Sequence, residues 1–292
     1  MDLLRAIILG AVQGATEFLP VSSSGHLKLG QSLLGLSEPQ LLFDIVLHVG
    51  TLLSVMLFYR NDVMLAIRGL FKGIHQGIIQ QRSTQKLLEP EGMRLSLLIV
   101  LSTIPTGILG ILLKKVLDPE SGQSIFTTKM VCALLILNGI ILMSNAFFLK
   151  REESLPEDEK PKRTSTLSLW NISPWIALII GIAQGCAVLP GISRSGMTIT
   201  VALALMVQRL HAARYSFLLS IPAILGALVL KLKDMESIPQ SQDLMIFGAG
   251  ALCAALVGYV CLILLTRMLR NAHFHHFAWY CWLVGIIGLF ML

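Results

Sequence analysis

Charge is the scarcest ingredient of this chain. Lys, Arg, Asp and Glu supply 14% of its 292 residues, where a soluble domain carries about 25%. That shortfall excludes a disordered chain and an ordinary soluble enzyme. Disulfide chemistry is lacking as well. The five cysteines (Cys132, Cys186, Cys253, Cys261 and Cys281) form no CxxC pair and lie in apolar stretches, which excludes a secreted disulfide scaffold and a zinc site and reads as small buried hydrophobes. No basic leader opens the segment from Met1 to Phe18, and Gln13 and Glu17 interrupt its apolar run. It is therefore not expected to be a cleaved signal peptide. Aromatic residues are also sparse, at 7%. Trp175, Trp279, Tyr280 and Trp282 are expected to form an interfacial belt rather than a stacking platform.

Apolar residues fill the space that charge leaves. They make up 54% of the chain, and mean hydropathy is +0.74. They come in uncharged blocks near the ~20 residues needed to cross a bilayer. Six blocks read as full spans: 41–59, 95–113, 129–149, 215–231, 244–265 and 276–292. In lipid such segments satisfy their backbones as helices. The expected fold is therefore an all-α polytopic membrane protein, a single integral membrane domain over 1–292. The net charge of +6 belongs to loops between the blocks, so nucleic acid is not an expected partner and membrane lipid is. Residues 62–79 could lie on the membrane surface as an amphipathic helix.

Two stretches do not fit the pattern of full spans. Residues 3–34 and 173–208 are apolar at both ends and broken in the middle by Pro, Gly, Ser and an ionisable residue. Irregular backbone at membrane depth is tolerated only where protein or a watery cavity covers it, so both read as re-entrant hairpins of two half-helices. Shifted by 171 positions, Gln13-Gly14 falls on Gln184-Gly185, and Ser22, Ser24 and Gly25 fall on Ser193, Ser195 and Gly196; the Leu19-Pro20 and Leu189-Pro190 pairs miss by one. That is the weak internal symmetry of a duplicated membrane fold. The first repeat covers 1–149, an inter-repeat loop 150–172, and the second repeat 173–292, with five helices in each half. The basic residues set the orientation. With 60–94, 150–172, 209–214 and 266–275 inside, fifteen Lys/Arg lie inside and seven outside, and Arg194 completes the 23. The positive-inside rule then makes the repeats antiparallel, with the two hairpin tips meeting near the midplane.

The first tip reads from Gln13 through Glu17 and Pro20 to Ser22, Ser23, Ser24, Gly25 and His26. Gln13 and Glu17 are four apart and share a helix face. An ionisable group inside a membrane segment is costly and points to function. Three hydroxyls and a glycine suit a helix start whose N–H groups face an anion, and His26 adds a group that titrates near neutrality. The second tip carries Ser193, Arg194, Ser195, Gly196 and Thr198. A guanidinium holds phosphate oxygens in a bidentate fork. One carboxylate, one imidazole, one guanidinium and several hydroxyls facing two half-helix N-termini suit a phosphate or pyrophosphate better than a neutral or cationic solute. Asp44 and His48 form a second i, i+4 pair that could line the same pocket.

These motifs resemble those of the undecaprenyl pyrophosphate phosphatases, the bacitracin-resistance membrane enzymes of bacteria. The family's (E/Q)xxxE matches Gln13 to Glu17, its FLPVSSxGH matches Phe18 to His26, and its PGxSRSxxT matches Pro190 to Thr198. The segment from Ser216 to Pro222 reads SFLLSIP, again in the family's style. The resemblance implies hydrolysis of undecaprenyl pyrophosphate to the monophosphate and phosphate. It also implies a role in cell-wall lipid recycling and bacitracin resistance, and a place in the bacterial plasma membrane with the pocket opening outward. A divalent cation, Mg²⁺ or Ca²⁺, is implied at Glu17, helped by Gln13, which replaces the first acidic residue and leaves one carboxylate. Glu17, His26, Arg194 and Ser23 are then the catalytic candidates, with Ser22, Ser24, Gly25, Ser193, Ser195, Gly196 and Thr198 around the phosphates. The nucleophile stays open between Ser23 activated by His26, His26 itself, and water. A homodimer stays open too. The rival is a transporter or flippase for a polyprenyl phosphate or another anionic solute, since broken helices in inverted repeats also build transporters.

Overall fold

The computed structural model describes residues 2–36, 41–79, 91–117, 127–154, 172–233 and 241–291. Among them the chain is helical. In order it forms α1 (Leu3–Phe18), α2 (Ser23–Leu33), α3 (Leu41–Phe58), α4 (Arg60–Ile79), α5 (Glu91–Leu117) and α6 (Thr128–Ser154). The second half holds α7 (Pro174–Cys186), α8 (Arg194–Ala204), α9 (Arg209–Lys233), α10 (Ser241–Arg270) and α11 (Phe277–Met291), the last entered through a 3₁₀ turn, Phe274–His276. Helices α5, α6, α9 and α10, with α11 and its 3₁₀ turn, are each long and apolar enough to cross a membrane. A sixth span passes the same test only as α3 together with α4, whose axis turns by 85°. The chain is thus a polytopic membrane protein. Most of the inter-repeat loop, residues 155–171, lies outside the described residues.

Local chemistry explains where the two broken stretches start and stop. Asp2 caps α1 by accepting from the Arg5 N–H at 2.8 Å. Ser173 caps α7 by accepting from Ile176, and Pro174 supplies a first helical residue that needs no N–H partner. Adding 171 carries Asp2 and Leu3 onto Ser173 and Pro174, and Ser22 and Ser23 onto Ser193 and Arg194, so all four helix starts coincide under one shift. The breaks differ. The first passes through Pro20 and puts Ser22 at φ +69°, and the second turns at Gly191 with φ +107°. A serine in the left-handed region is strained. Two hydrogen bonds hold it there, since its Oγ accepts from Gly25 and from Gly191 of the other hairpin.

Small residues set the packing. Helix α1 lies along α10, and α7 along α5. A Cβ on Gly14 would meet the Ala254 carbonyl oxygen at 2.6 Å, and one on Gly185 would meet Leu109 Cβ at 2.7 Å. Gly10 and Gly181, one turn earlier, face Gly250 and Ser102 just as closely. Both hairpins therefore dock through a Gly-xxx-Gly face, which lets membrane helices approach backbone to backbone. Hydroxyls reinforce these seams: Ser102 donates to the Ala177 carbonyl at 2.6 Å, Thr106 to Gly181 at 2.8 Å, and Ser54 to Ala255 at 2.6 Å. The core between the halves is built on Phe18, Leu142, Ile180, Ile199, Tyr215 and Phe217. Large apolar side chains remain on the outside, Trp175, Trp279 and Phe290 among them, as expected of a surface that meets lipid.

The cysteine expectation needs one correction. All five are free, but only Cys132, Cys261 and Cys281 are buried, and Cys186 is exposed where α7 ends ahead of the turn.

Candidate active site

The turns of the two hairpins meet. Asn138 of α6, fully buried, clamps them by donating from Nδ2 to the Pro20 carbonyl and accepting from the Ser193 N–H, each at 2.9 Å. With the Gly191–Ser22 hydrogen bond, this fixes the N-terminus of α2 beside that of α8. The unsatisfied N–H groups and dipoles of both half-helices therefore point into one place, which favours negative charge there.

Glu17 stands at the centre. It is 7% exposed, and both carboxylate oxygens are engaged. Arg194 donates to Oε1 at 2.5 Å, joining the two hairpins across 177 residues of sequence. Ser23 donates to Oε2 at 2.6 Å, as does the Gln13 side-chain amide at 2.9 Å. His48 Nε2 lies 3.7 Å from the same oxygen. A buried carboxylate needs partners of this kind, because the cost of leaving it unpaired away from water is large. Gln13 Oε1 is buried with no hydrogen-bond partner among the described residues.

His26 faces the opposite way from Ser23's partner. Its Nδ1 lies 2.9 Å from the Ser22 carbonyl oxygen and its Nε2 lies 2.9 Å from the Tyr280 hydroxyl. A carbonyl can only accept, so Nδ1 carries the proton and the neutral ring presents its lone pair at Nε2. Of the three alternatives for the nucleophile, Ser23 activated by His26 has no direct hydrogen bond between the two here: Ser23 turns toward Glu17, the stronger acceptor within reach.

The remaining expected positions divide in two. Ser23 is half-buried and Ser24 exposed on the open side of α2. Ser22, Ser193, Ser195 and Thr198 are buried. Ser22 and Ser193 cap α2 and α8 by accepting from Gly25 and Gly196, and Ser195 pairs with Ser193 at 3.1 Å. Thr198 donates to the Arg194 carbonyl and meets Ser216 of α9. Asp44 accepts from Gln31 at 2.7 Å, and His48 Nδ1 lies 2.7 Å from the Asp44 carbonyl, so that pair frames the edge of the pocket beside α2.

Three contributors escaped the sequence: Asn138, Ser216 and the Tyr280 hydroxyl. An amide in a largely apolar block could have flagged Asn138, as it could Asn145, because a buried polar group demands partners. Tyr280 gave no such signal among its aromatic neighbours.

A family model described as bacitracin resistance protein BacA matches residues 6–287. Relatives named undecaprenyl-diphosphatase match nearly the whole chain. The one from Methanosphaera stadtmanae is 40% identical over 275 residues, covering 93% of this chain and 91% of that relative. The one from Desulfosudis oleivorans is 41% identical over 277 residues, covering 94% and 93%. The one from Rubrobacter xylanophilus is 36% identical over 266 residues, covering 90% and 88%.

Proposed function

The chain belongs to the BacA family, and on that footing we propose that it hydrolyses undecaprenyl pyrophosphate to undecaprenyl phosphate and inorganic phosphate at the junction of its two hairpins. The observation that carries the reading is the doubly engaged Glu17, with Arg194 on one oxygen and Ser23 on the other. A pyrophosphate entering between the helix N-termini competes with Glu17 for the Arg194 guanidinium. The terminal phosphoryl group takes that cation, and the carboxylate is left to receive the Ser23 proton.

Ser23 Oγ then attacks the terminal phosphorus. The new O–P bond forms as the bond to the bridging oxygen breaks, and undecaprenyl phosphate departs with that electron pair. The Ser23 proton passes to Glu17. In the second half, water attacks the phosphoserine and gives its proton to His26 Nε2. The Ser23 Oγ–P bond breaks with its electron pair going to Oγ, which takes its proton back from Glu17; phosphate leaves, and His26 gives the proton from water to the solvent. Phosphoryl transfer of this kind depends mainly on positioning and charge stabilisation, which the clamped turns, Arg194 and the N–H groups at Ser23 and Ser24 supply.

The donor set accommodates a divalent cation such as Mg²⁺ or Ca²⁺ in a sparse form. Among the described residues no group of three or more His, Cys, Asp or Glu side chains is placed to hold a metal. The partnerless Gln13 Oε1 and the Glu17 oxygen vacated by Arg194 are hard oxygen ligands, and Mg²⁺ often takes one or two carboxylates plus substrate phosphates. When bound, it would neutralise charge on the phosphate oxygens. The distribution of Lys and Arg supports a plasma-membrane protein whose pocket opens to the outer face.

The test uses detergent-purified protein, a prenyl pyrophosphate labelled in its terminal phosphate, and Mg²⁺ with and without chelator. Label should be released by the wild type, and His26→Ala should retain it on Ser23 after acid quench. Unlabelled protein with normal release would replace the serine step by direct attack of water. Tight binding with no release would return the chain to the transporter class.

A further inference from the structure

To collect a proton from the attacking water, the His26 ring has to be held in place. We infer that Tyr280, on the last helix, is a positioning residue that fixes the ring plane of His26, whose tautomer the Ser22 carbonyl sets. The inference rests on that reading of His26, and its test is built to fail separately.

Three observations carry it. The Tyr280 hydroxyl lies 2.9 Å from His26 Nε2, and the two rings stack at 5.6 Å between centroids with 13° between planes. The other ring nitrogen is held by the Ser22 carbonyl, which leaves Nε2 as the only atom through which the imidazole can work. The helix that delivers Tyr280 is locked on both sides of it. Cys281 is buried against Asn138, the residue that clamps the hairpin turns, and Trp282 donates to the Ile136 carbonyl at 3.1 Å. Gly285 sits against Ile136 and Cys132 of α6. Tyr280 is therefore carried on the same α6 surface that sets the hairpins, and its hydroxyl arrives from 254 residues away with little freedom to move.

The phenol suits this position because it can play both parts of a hydrogen bond. Before water arrives, the Tyr280 O–H donates to the Nε2 lone pair, and the attacking water displaces that hydrogen bond as it delivers its proton. Once His26 has taken a proton, Nε2–H donates to the same phenol oxygen, and the ring keeps its orientation. A phenylalanine would keep the stack and lose both hydrogen bonds.

The experiment compares wild type, Tyr280→Phe and Trp279→Phe, the last a control on an exposed neighbour, in phosphate release from farnesyl pyrophosphate with Mg²⁺. Tyr280→Phe should lower kcat by between about 10- and 100-fold, as loss of an orienting partner does elsewhere, with KM unchanged. Trp279→Phe should leave both constants unchanged. A second readout needs no substrate: diethyl pyrocarbonate attacks an imidazole through its lone pair, and mass spectrometry follows the peptide that contains His26. His26 should react severalfold faster in Tyr280→Phe than in the wild type, and in the wild type more slowly than the exposed His75. Unchanged kcat, a rise in KM alone, or equal reaction of His26 with and without the hydroxyl would each overturn the inference. Should Tyr280→Phe not fold, Tyr280→Met, which also lacks the hydroxyl, takes its place in both readouts. Normal turnover in His26→Ala would instead remove the mechanism on which the inference stands.

Discussion

Under the 171-residue shift, Gly10 and Gly14 of α1 fall on Gly181 and Gly185 of α7, and Ser22 and Gly25 of α2 fall on Ser193 and Gly196 of α8. Each of these pairs does the same task twice, a close helix crossing or an N-cap. Glu17, Ser23 and His26 fall instead on Val188, Arg194 and Met197. Gln13 and Gln184 share even a defect, since both leave Oε1 buried without a partner among the described residues. The two hairpins thus agree where backbone turns and packs, and diverge where a substrate would be touched. One copy holds the acid, the hydroxyl and the base, and the other holds the cation. The positions that agree under the shift carry the frame, and the proposed chemistry sits where they differ.

The largest effects should come from the diverged positions. Glu17→Gln keeps the shape but turns one of the two acceptor oxygens into a donor and removes the charge that, in the proposed reaction, takes the Ser23 proton, and Arg194→Ala removes the proposed phosphoryl clamp. Each should reduce phosphate release by about 10³-fold or more. The two separate in thermal unfolding. Arg194→Ala leaves the deeply buried Glu17 without its cation and should cost about 3–5 kcal/mol, whereas Glu17→Gln strands only the more exposed Arg194 and should cost less. Val188→Ala, at the position equivalent to Glu17 but exposed, should change turnover by less than about two-fold. A large loss there would break the division between the hairpins.

Next come the shared crossings. Gly14→Leu and Gly185→Leu should each destabilise the protein by about 1–3 kcal/mol or more through overpacking against Ala254 and Leu109. The comparison predicts similar losses for both, read as Tm in detergent. The shared caps come below them. Ser22→Ala and Ser193→Ala should each cost about 0.5–2 kcal/mol. Ser22→Ala should be the worse, because it also strands the Gly191 N–H. Equal losses would mean that the contact between hairpins adds nothing.

The sequence made the frame legible because its signals are local. Hairpins expected over 3–34 and 173–208 correspond to helices from Leu3 to Leu33 and Pro174 to Ala204, since Pro, Gly and Ser interrupt an apolar run in ways that only a turn accommodates. The blocks at 95–113 and 244–265 were too short. Polar ends such as Glu91 and Arg270 continue the helices beyond the apolar part, where hydropathy no longer reports them. The contents of the site were legible, but not its wiring. That Ser23 turns to Glu17 while His26 turns to Tyr280 depends on packing between residues 6 and 254 positions apart, and no spacing rule reaches that far. Buried serines read as phosphate ligands for the same reason: a Ser-rich turn looks alike whether its hydroxyls cap a helix or face a ligand.

Met197 offers the finest test of the asymmetry. It occupies the position of His26 in the other hairpin, one turn into α8 and half-buried. If the second hairpin contributes only its cation and its helix start, this side chain fills space. A thioether and a branched alkyl group of similar volume are then interchangeable, and Met197→Leu should cost less than about 1.5 kcal/mol. Its kcat and KM should stay within about two-fold of wild type, where His26→Leu in the same preparation abolishes turnover. A Met197→Leu protein with normal Tm but depressed kcat would show that the second hairpin reaches the reacting groups through more than Arg194, and the two copies would then share the chemistry as well as the frame.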